Sequence, residues 1–421
     1  MMKNLNIRQN ISSYKLMSQF IVFIIVLNVF FLALFQSAQA TPNDSAVALG
    51  ANVHTGSSPA AYFGQDQRLW VVFVHEGHVY SSVSGDYGET FSSAVKVNQI
   101  PEKIYSKGEN RAKIVVDRDN RIFVSWTKKT DGFYTGEIRF SRSLDEGMSF
   151  SPPVTVHQNL GVMGHRFDSL NINNQGVVSI AWLDKREKFK AKQTSEKYKG
   201  ISLYYAWSDD HGESFQQEVK LADHTCECCR IGSVTDAQDN LHLIWRHIYD
   251  DNIRDHAFMS IDDQQQIMQF ARASVDNWQT DACPHHGPDI TTDNENRLYY
   301  SWFSQGTTNS GVMVGGYDQN NHEMMAVSVV DSSAQASHPQ ILMHNGLLIN
   351  VWKRFDGEQT HIKARVSQDE GKHWSAEKSL VSTQGASDHP LLVHTAEQAY
   401  LVWQTHDEGF RLIRIEHADQ S

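Results

Sequence analysis

The sequence is poor in cysteine, in linker-like composition, in positive charge and, beyond its first segment, in long apolar runs. Each shortage excludes something. No second long apolar run follows residue 35, so no membrane span is expected in the remainder of the chain. No cysteine stands at the end of that first run, which argues against a lipid-anchored form. No proline- or serine-rich linker and no low-complexity stretch divides the chain. Lys and Arg number 37 against 49 Asp and Glu, a formal net charge of −12, which argues against a nucleic-acid or anionic-membrane partner. An anionic ligand would therefore need arginines gathered locally.

What is present begins with a leader. Lys3, Arg8 and Lys15 make a basic start, and Phe20 to Phe35 is an apolar run shorter than a typical ~20-residue span. Ala38-Gln39-Ala40 offers a small-x-small cleavage site. The pattern predicts a Sec-type signal peptide over 1–40 and a single exported domain over 41–421, in the periplasm or, as the alternative, secreted. An uncleaved anchor is the rival reading. Loss of three basic residues and no acidic one would take the net charge from −12 to −15.

A motif then recurs four times: SGDYGETF at 84–91, SLDEGMSF at 143–150, SDDHGESF at 208–215 and SQDEGKHW at 367–374. The shared pattern is Ser-x-Asp-x-Gly-x-x-aromatic, and a repeat of this kind sets architecture before any other signal. Each copy lies between strand-like runs. It reads as a hairpin turn in which Asp86, Asp145, Asp210 or Asp369 caps backbone amides, the glycine takes a positive φ and the aromatic anchors the turn. A second period agrees. Strand-like runs carry Phe73, Trp126, Trp182, Trp245, Trp302, Trp352 and Trp403 at spacings of roughly 50 to 63 residues, the size of a four-stranded blade. Polar turns precede most of them, at 117–120, 173–176, 236–240 and 293–296. The expected fold is an all-β propeller, with seven blades from the seven marks and six as the alternative. The last repeat looks one strand short, and 45–54 is expected to supply it and close the ring.

All four cysteines fall in two motifs, Cys226-Glu-Cys228-Cys229-Arg230 and Cys283-Pro-His285-His286-Gly-Pro288. Each lies about 16 residues before a marker tryptophan, so both occupy the lead-in to the innermost strand of neighbouring blades. The equivalent lead-ins carry Arg111, His165-Arg166, His338 and His389. One mouth of the channel is thus expected to be ringed with His, Arg and Cys. By connectivity the segment after Trp245 opens on the same face and brings Arg246, Arg254 and Asp255 to it. Thiolates with imidazoles suit Cu(I), zinc or iron, and softness together with export favours copper. The predicted ligands are Cys226, Cys228, Cys229, Cys283, His285 and His286. Two rivals stand beside metal binding: two disulfides, with Cys226 or Cys228 joined to Cys283, and a thiol pair that exchanges disulfides. The adjacent pair Cys228-Cys229 makes disulfides awkward. Expected partners are a small molecule, a glycan or a metal-delivery protein.

The four Ser-x-Asp-x-Gly motifs resemble the Asp-box (BNR) repeat of sialidase-like β-propellers. In that family the boxes are structural turns, and six blades are typical, so seven marks depart from its pattern. Members that cleave sialic acid need three arginines for the carboxylate, a tyrosine nucleophile assisted by glutamate, and an aspartic acid. The family's Arg-Ile-Pro before the first box is absent, and the stretch reads Ser57-Ser58-Pro59-Ala60-Ala61-Tyr62. Arg111, Arg166, Arg230, Arg246 and Arg254 are candidates for binding an anion or substrate, with Asp255 beside them, but none can be matched one by one to that triad. Asp184 and Asp255 are candidate acids, with ion pairing as the plainer reading of each. No catalytic residue is assigned. The resemblance implies a glycoside hydrolase acting on acidic sugars as an alternative to metal handling, and a non-catalytic scaffold with two disulfides as a second. The Cys and His motifs, with the Trp245-Arg246 loop, are similar to an exported bacterial subgroup labelled sialidase-like. That similarity implies a shared site without giving its role.

Overall fold

The computed structural model describes residues 51–416. The predicted signal peptide and its cleavage site lie outside the described residues. Among those described, no helix is long and apolar enough to cross a membrane.

Seven antiparallel sheets follow one another along the chain, over residues 57–96, 113–155, 165–225, 232–272, 289–331, 336–383 and 391–414. They are the blades of a β-propeller. The first strands are Ser57–Phe63, Lys113–Val116, His165–Ile172, Gly232–Thr235, Asp289–Thr292, Ala336–His344 and Leu391–His394. Each neighbours the next, and the seventh neighbours the first, which closes the ring. Together they line a central cavity of about 630 Å³. Phe73 and the six marker tryptophans all sit on second strands and are fully buried. There they fill the space between blades, where large aromatic rings bury the most apolar surface per residue.

The turns explain why the sequence folds this way locally. In all four repeats the serine hydroxyl donates to the aspartate and accepts from the glycine amide, as in Ser84 Oγ to Asp86 Oδ1 (2.7 Å) and Gly88 N to Ser84 Oγ (2.8 Å). The aspartate also accepts the amide four residues on, from Thr90, Ser149, Ser214 or His373. Gly88, Gly147, Gly212 and Gly371 have φ of +85°, +79°, +78° and +84°, a region closed to most side chains. These turns join third to fourth strands in blades 1, 2, 3 and 6. Blades 4 and 5 use shorter aspartate-capped turns at Asp262 and Asp318. The turns between first and second strands lie on the same side of the ring. In blades 2 to 5, Asp117, Asn173, Asp236 or Asp293 accepts the amides two and four residues on.

The seventh blade has three described strands, Leu391–His394, Ala399–Thr405 and Gly409–Arg414. Of the segment expected to complete it, residues 51–54 form a turn that packs on the blade without joining its ladder. Val53 is buried with Val393, Val402 and Phe410, and Gln404 Nε2 donates to His54 O at 3.1 Å. Residues 45–50 lie outside the described residues.

Candidate metal centre at the channel mouth

The opposite side of the ring is built from the lead-ins to first strands and the turns between second and third strands. Residues 226–231 lead into blade 4, residues 273–288 lead into blade 5, and residues 247–255 join the second and third strands of blade 4. The first of these segments brings three of the four cysteines together. The sulfurs of Cys226, Cys228 and Cys229 lie within 4.8 Å of one another, and Cys226 Sγ is 3.7 Å from Cys228 Sγ. These three are 1, 7 and 2 % exposed and pack with Ile231, Leu243 and Trp245, whereas Cys283 is exposed. Cys283, expected as a ligand, does not join this compact group and interacts with Cys226 only electrostatically. All four are free thiols.

Backbone contacts hold the loop in place. Cys226 N donates to Arg246 O at 2.9 Å. Between the cysteines, Glu227 pairs with Lys185 (3.3 Å) and with Lys188. Lys185 and Lys188 belong to helix α1, Arg186–Thr194, or cap it. Gly287 is needed for close approach, because a Cβ there would lie 2.7 Å from the Arg230 backbone nitrogen.

The electrostatics of the cluster are uneven. Interactions with Cys228, then Cys229 and Cys283, pull the Cys226 thiol well below the ordinary thiol range. The interaction with Cys226 pushes Cys228, Cys229 and Cys283 up. Arg254 Nη1 stands 3.4 Å from Cys226 Sγ and supplies the nearest positive charge.

The remaining sequence candidates are placed as follows. Arg246 is buried and donates to the carbonyls of Arg254 (2.8 Å), His286 (3.0 Å) and Phe303 (2.8 Å), with its guanidinium over Trp278, so it ties loops together. Asp255 is buried against Arg272 and the amides of Asn277 and Trp278. Asp184 is likewise paired, with Arg186 at 2.7 Å. Arg111 pairs with Asp388 at 3.1 Å. Arg230 pairs with Glu109 at 3.2 Å, and the same carboxylate accepts Gly287 N at 2.7 Å. Arg166 is different: its guanidinium lies 4.7 Å from the Tyr105 ring and 5.1 Å from the Tyr134 ring, and its Nε has no partner. His285 is exposed, and neither it nor His286 joins the compact sulfur group. His286 instead begins a row of imidazoles, 4.6 Å from His338, which stacks on His389 at 3.6 Å. The Nδ1 of each is buried without a partner. Burial pushes His286 down to about 4 and His389 to about 2, so the row is neutral near pH 7.

Sequence reasoning missed Glu109 and Asp388, the carboxylates that neutralise two candidate arginines. It also missed the tyrosines around Arg166. Glu109 stands two residues before the blade 2 lead-in arginine, a signal that becomes legible only when lead-ins are compared blade by blade. A further absence marks the cysteine blade. Indole Nε1 donates to Glu102 from Trp126, to Asp184 from Trp182, to Asp276 from Trp302, to Asp331 from Trp352 and to the Asp388 carbonyl from Trp403. Trp245 Nε1 alone among these six has no partner.

No protein-family model matches the chain, and comparison with curated proteins finds no match. Solved structures do resemble it. A polysaccharide lyase described as a PL25 ulvan lyase is 10 % identical over 86 % of this chain and 94 % of its own, with a TM-score of 0.54. A Dyadobacter fermentans protein of unknown function is 11 % identical over 76 % of this chain and 95 % of its own, at 0.52. A Hadza microbial sialidase is 13 % identical over 80 % and 73 %, at 0.49. At such identities the likeness speaks for the propeller fold and for nothing finer.

Proposed function

We propose that this is an exported propeller that handles a soft metal ion, held by Cys226, Cys228 and Cys229 with Cys283 beside them. The observation that carries this reading is the compact sulfur group, buried on the mouth face within the lead-in to blade 4. A tetrahedral ion with metal–sulfur bonds of ~2.3 Å sets its sulfurs ~3.8 Å apart, and Cys226 and Cys228 stand 3.7 Å apart. A disulfide needs ~2.05 Å. Three adjacent buried thiolates repel one another strongly unless a cation lies between them. Thiolate softness favours Cu(I), with zinc as the alternative. Arg254 offsets part of the residual negative charge.

The test is elemental analysis of protein purified without chelator and without oxygen. One equivalent of copper or zinc, absent from Cys228→Ser, is the expected result. Retention of metal by that variant would sink the reading.

A second reading is an enzyme acting on an acidic glycan at the same mouth. The Arg166 guanidinium favours it, flanked by the rings of Tyr105 and Tyr134 and carrying an unpartnered Nε, with exposed Phe133 4.1 Å from the Tyr134 ring. Cation and aromatic faces together suit a carboxylated sugar. Its test is a screen of acidic polysaccharides and aryl glycosides, sialosides included, in which no turnover counts against it.

A further inference from the structure

Three imidazoles stand in a row at the channel mouth, and the sulfur group uses none of them. His286, His338 and His389 come from the entries to blades 5, 6 and 7, and the His338 and His389 rings stack at 3.6 Å with 12° between their planes. The Nδ1 of each is sealed from water without a partner, and among the described residues no hydrogen bond uses their Nε2. That asymmetry assigns the tautomer. A buried N–H with no acceptor is the rarer and costlier orphan, so the proton of each neutral ring sits on Nε2 and the bare lone pair faces the wall. A metal on Nε2 would force the proton onto Nδ1, where no acceptor waits, so the row is not a second metal site. At His389 the open nitrogen depends on glycine, since a Cβ at Gly108 would lie 2.5 Å from Nε2.

The surroundings are positive. Arg246 donates to His286 O at 3.0 Å, Arg230 to Pro339 O at 2.5 Å, Arg111 to His389 O at 3.3 Å and Lys353 to Asp388 O at 3.3 Å. The facing carboxylates are Glu109 on Arg230, Asp388 on Arg111, and Asp289, which accepts Ile341 N. Four cations thus meet three carboxylates. The arginine donors are turned inward to carbonyls, which leaves the imidazole N–H groups to meet a ligand.

We propose that the Nε2–H groups of His286, His338 and His389 form a site for a small oxyanion, held by neutral donors in a positive field. The site stands apart from the sulfur group and needs no metal there. Because a further proton would have to enter at the sealed Nδ1, the donors stay neutral well below the ordinary histidine range.

The experiment is calorimetric titration of the full exported protein, in low-chloride buffer, with sulfate as the tetrahedral probe and oxalate as the planar one. At least one should bind, with an affinity that changes less than about twofold between roughly pH 8 and 5.5. A site made of protonated imidazole would instead tighten about tenfold per pH unit, and that result would overturn the proposal. Binding of neither probe would overturn it as well. His389→Leu should weaken binding at least about tenfold, whereas His389→Gln, whose amide keeps a donor near Nε2, should hold it within about threefold. Equal loss in both variants would count the ring as structural and sink the donor role. Nitrogen-15 NMR of histidine-labelled wild type needs no variant to fold. It should show neutral Nε2–H rings for the row at pH 6, and Nδ1–H or doubly protonated rings would overturn the assignment.

Discussion

The two faces of the propeller are made by the same strands and obey opposite rules. On the turn face every repeat closes its own polar groups locally: serine to aspartate, glycine amide to serine, aspartate to the amide four residues on. On the mouth face partners come from distant blades, as when Glu109 meets Arg230 and Gly287. Several buried groups there have none: the Nδ1 atoms of His286, His338 and His389, Arg166 Nε and Trp245 Nε1. A buried polar atom without a partner costs roughly 1–3 kcal/mol. The turn face has two such atoms, His211 Nδ1 and Asn120 Oδ1, but on the mouth face they gather around the channel and the sulfur group, where chemistry is expected.

The comparison can be broken or sharpened by mutation. The largest effect is expected at the mouth, where Cys228→Ser should abolish metal while the propeller stays folded by circular dichroism. Next is Arg246→Met, which strands three buried carbonyls. It should cost about 3 kcal/mol in denaturant unfolding and weaken metal binding as well. On the turn face Asp210→Ala removes the amide cap and should cost about 1 kcal/mol with metal stoichiometry unchanged. If Asp210→Ala lost metal while Arg246→Met kept it, the division of labour would be wrong.

Acid should separate the faces more gently. Burial holds His157 at about 3 and His389 at about 2, against an ordinary 6.5. Below pH 6.5 the unfolded chain takes up protons that these folded sites refuse. Their contribution is thus complete above 6.5 and declines toward 3 and then 2. Asp86 and Asp210 are held at about 2 against 3.8, by hydrogen bonds from Thr90 and from Ser208 and Ser214 that in Asp210 outweigh the opposing effect of burial. Their contribution stays intact above 3.8 and is lost as pH falls through 2. The melting midpoint should therefore begin to fall near pH 6.5, less so in His389→Gln, and fall again below 3.8. Metal binding should also weaken with acid, because Cys228, Cys229 and Cys283 must lose protons to bind.

The turn face was legible in the sequence because its contacts are local. Serine, aspartate and glycine within five residues specify the turn, and the marker aromatics count seven blades. The two cysteine motifs were legible as neighbours because both precede a marker tryptophan at one spacing. Contacts across the channel were not. Nothing near Arg246 announces that its donors go to carbonyls of three other segments, and nothing near Arg230 points to Glu109. Such pairings exist only once the ring has closed. At the seventh blade, residues 51–54 of the strand anticipated over 45–54 make a packed turn, and the rest of that segment lies outside the described residues.

The central claim is that sulfur from this mouth binds a metal. X-ray absorption at the copper or zinc edge of the purified protein tests it most directly. The account expects three or four sulfur neighbours at ~2.2–2.3 Å. A first shell of nitrogen and oxygen alone would contradict it.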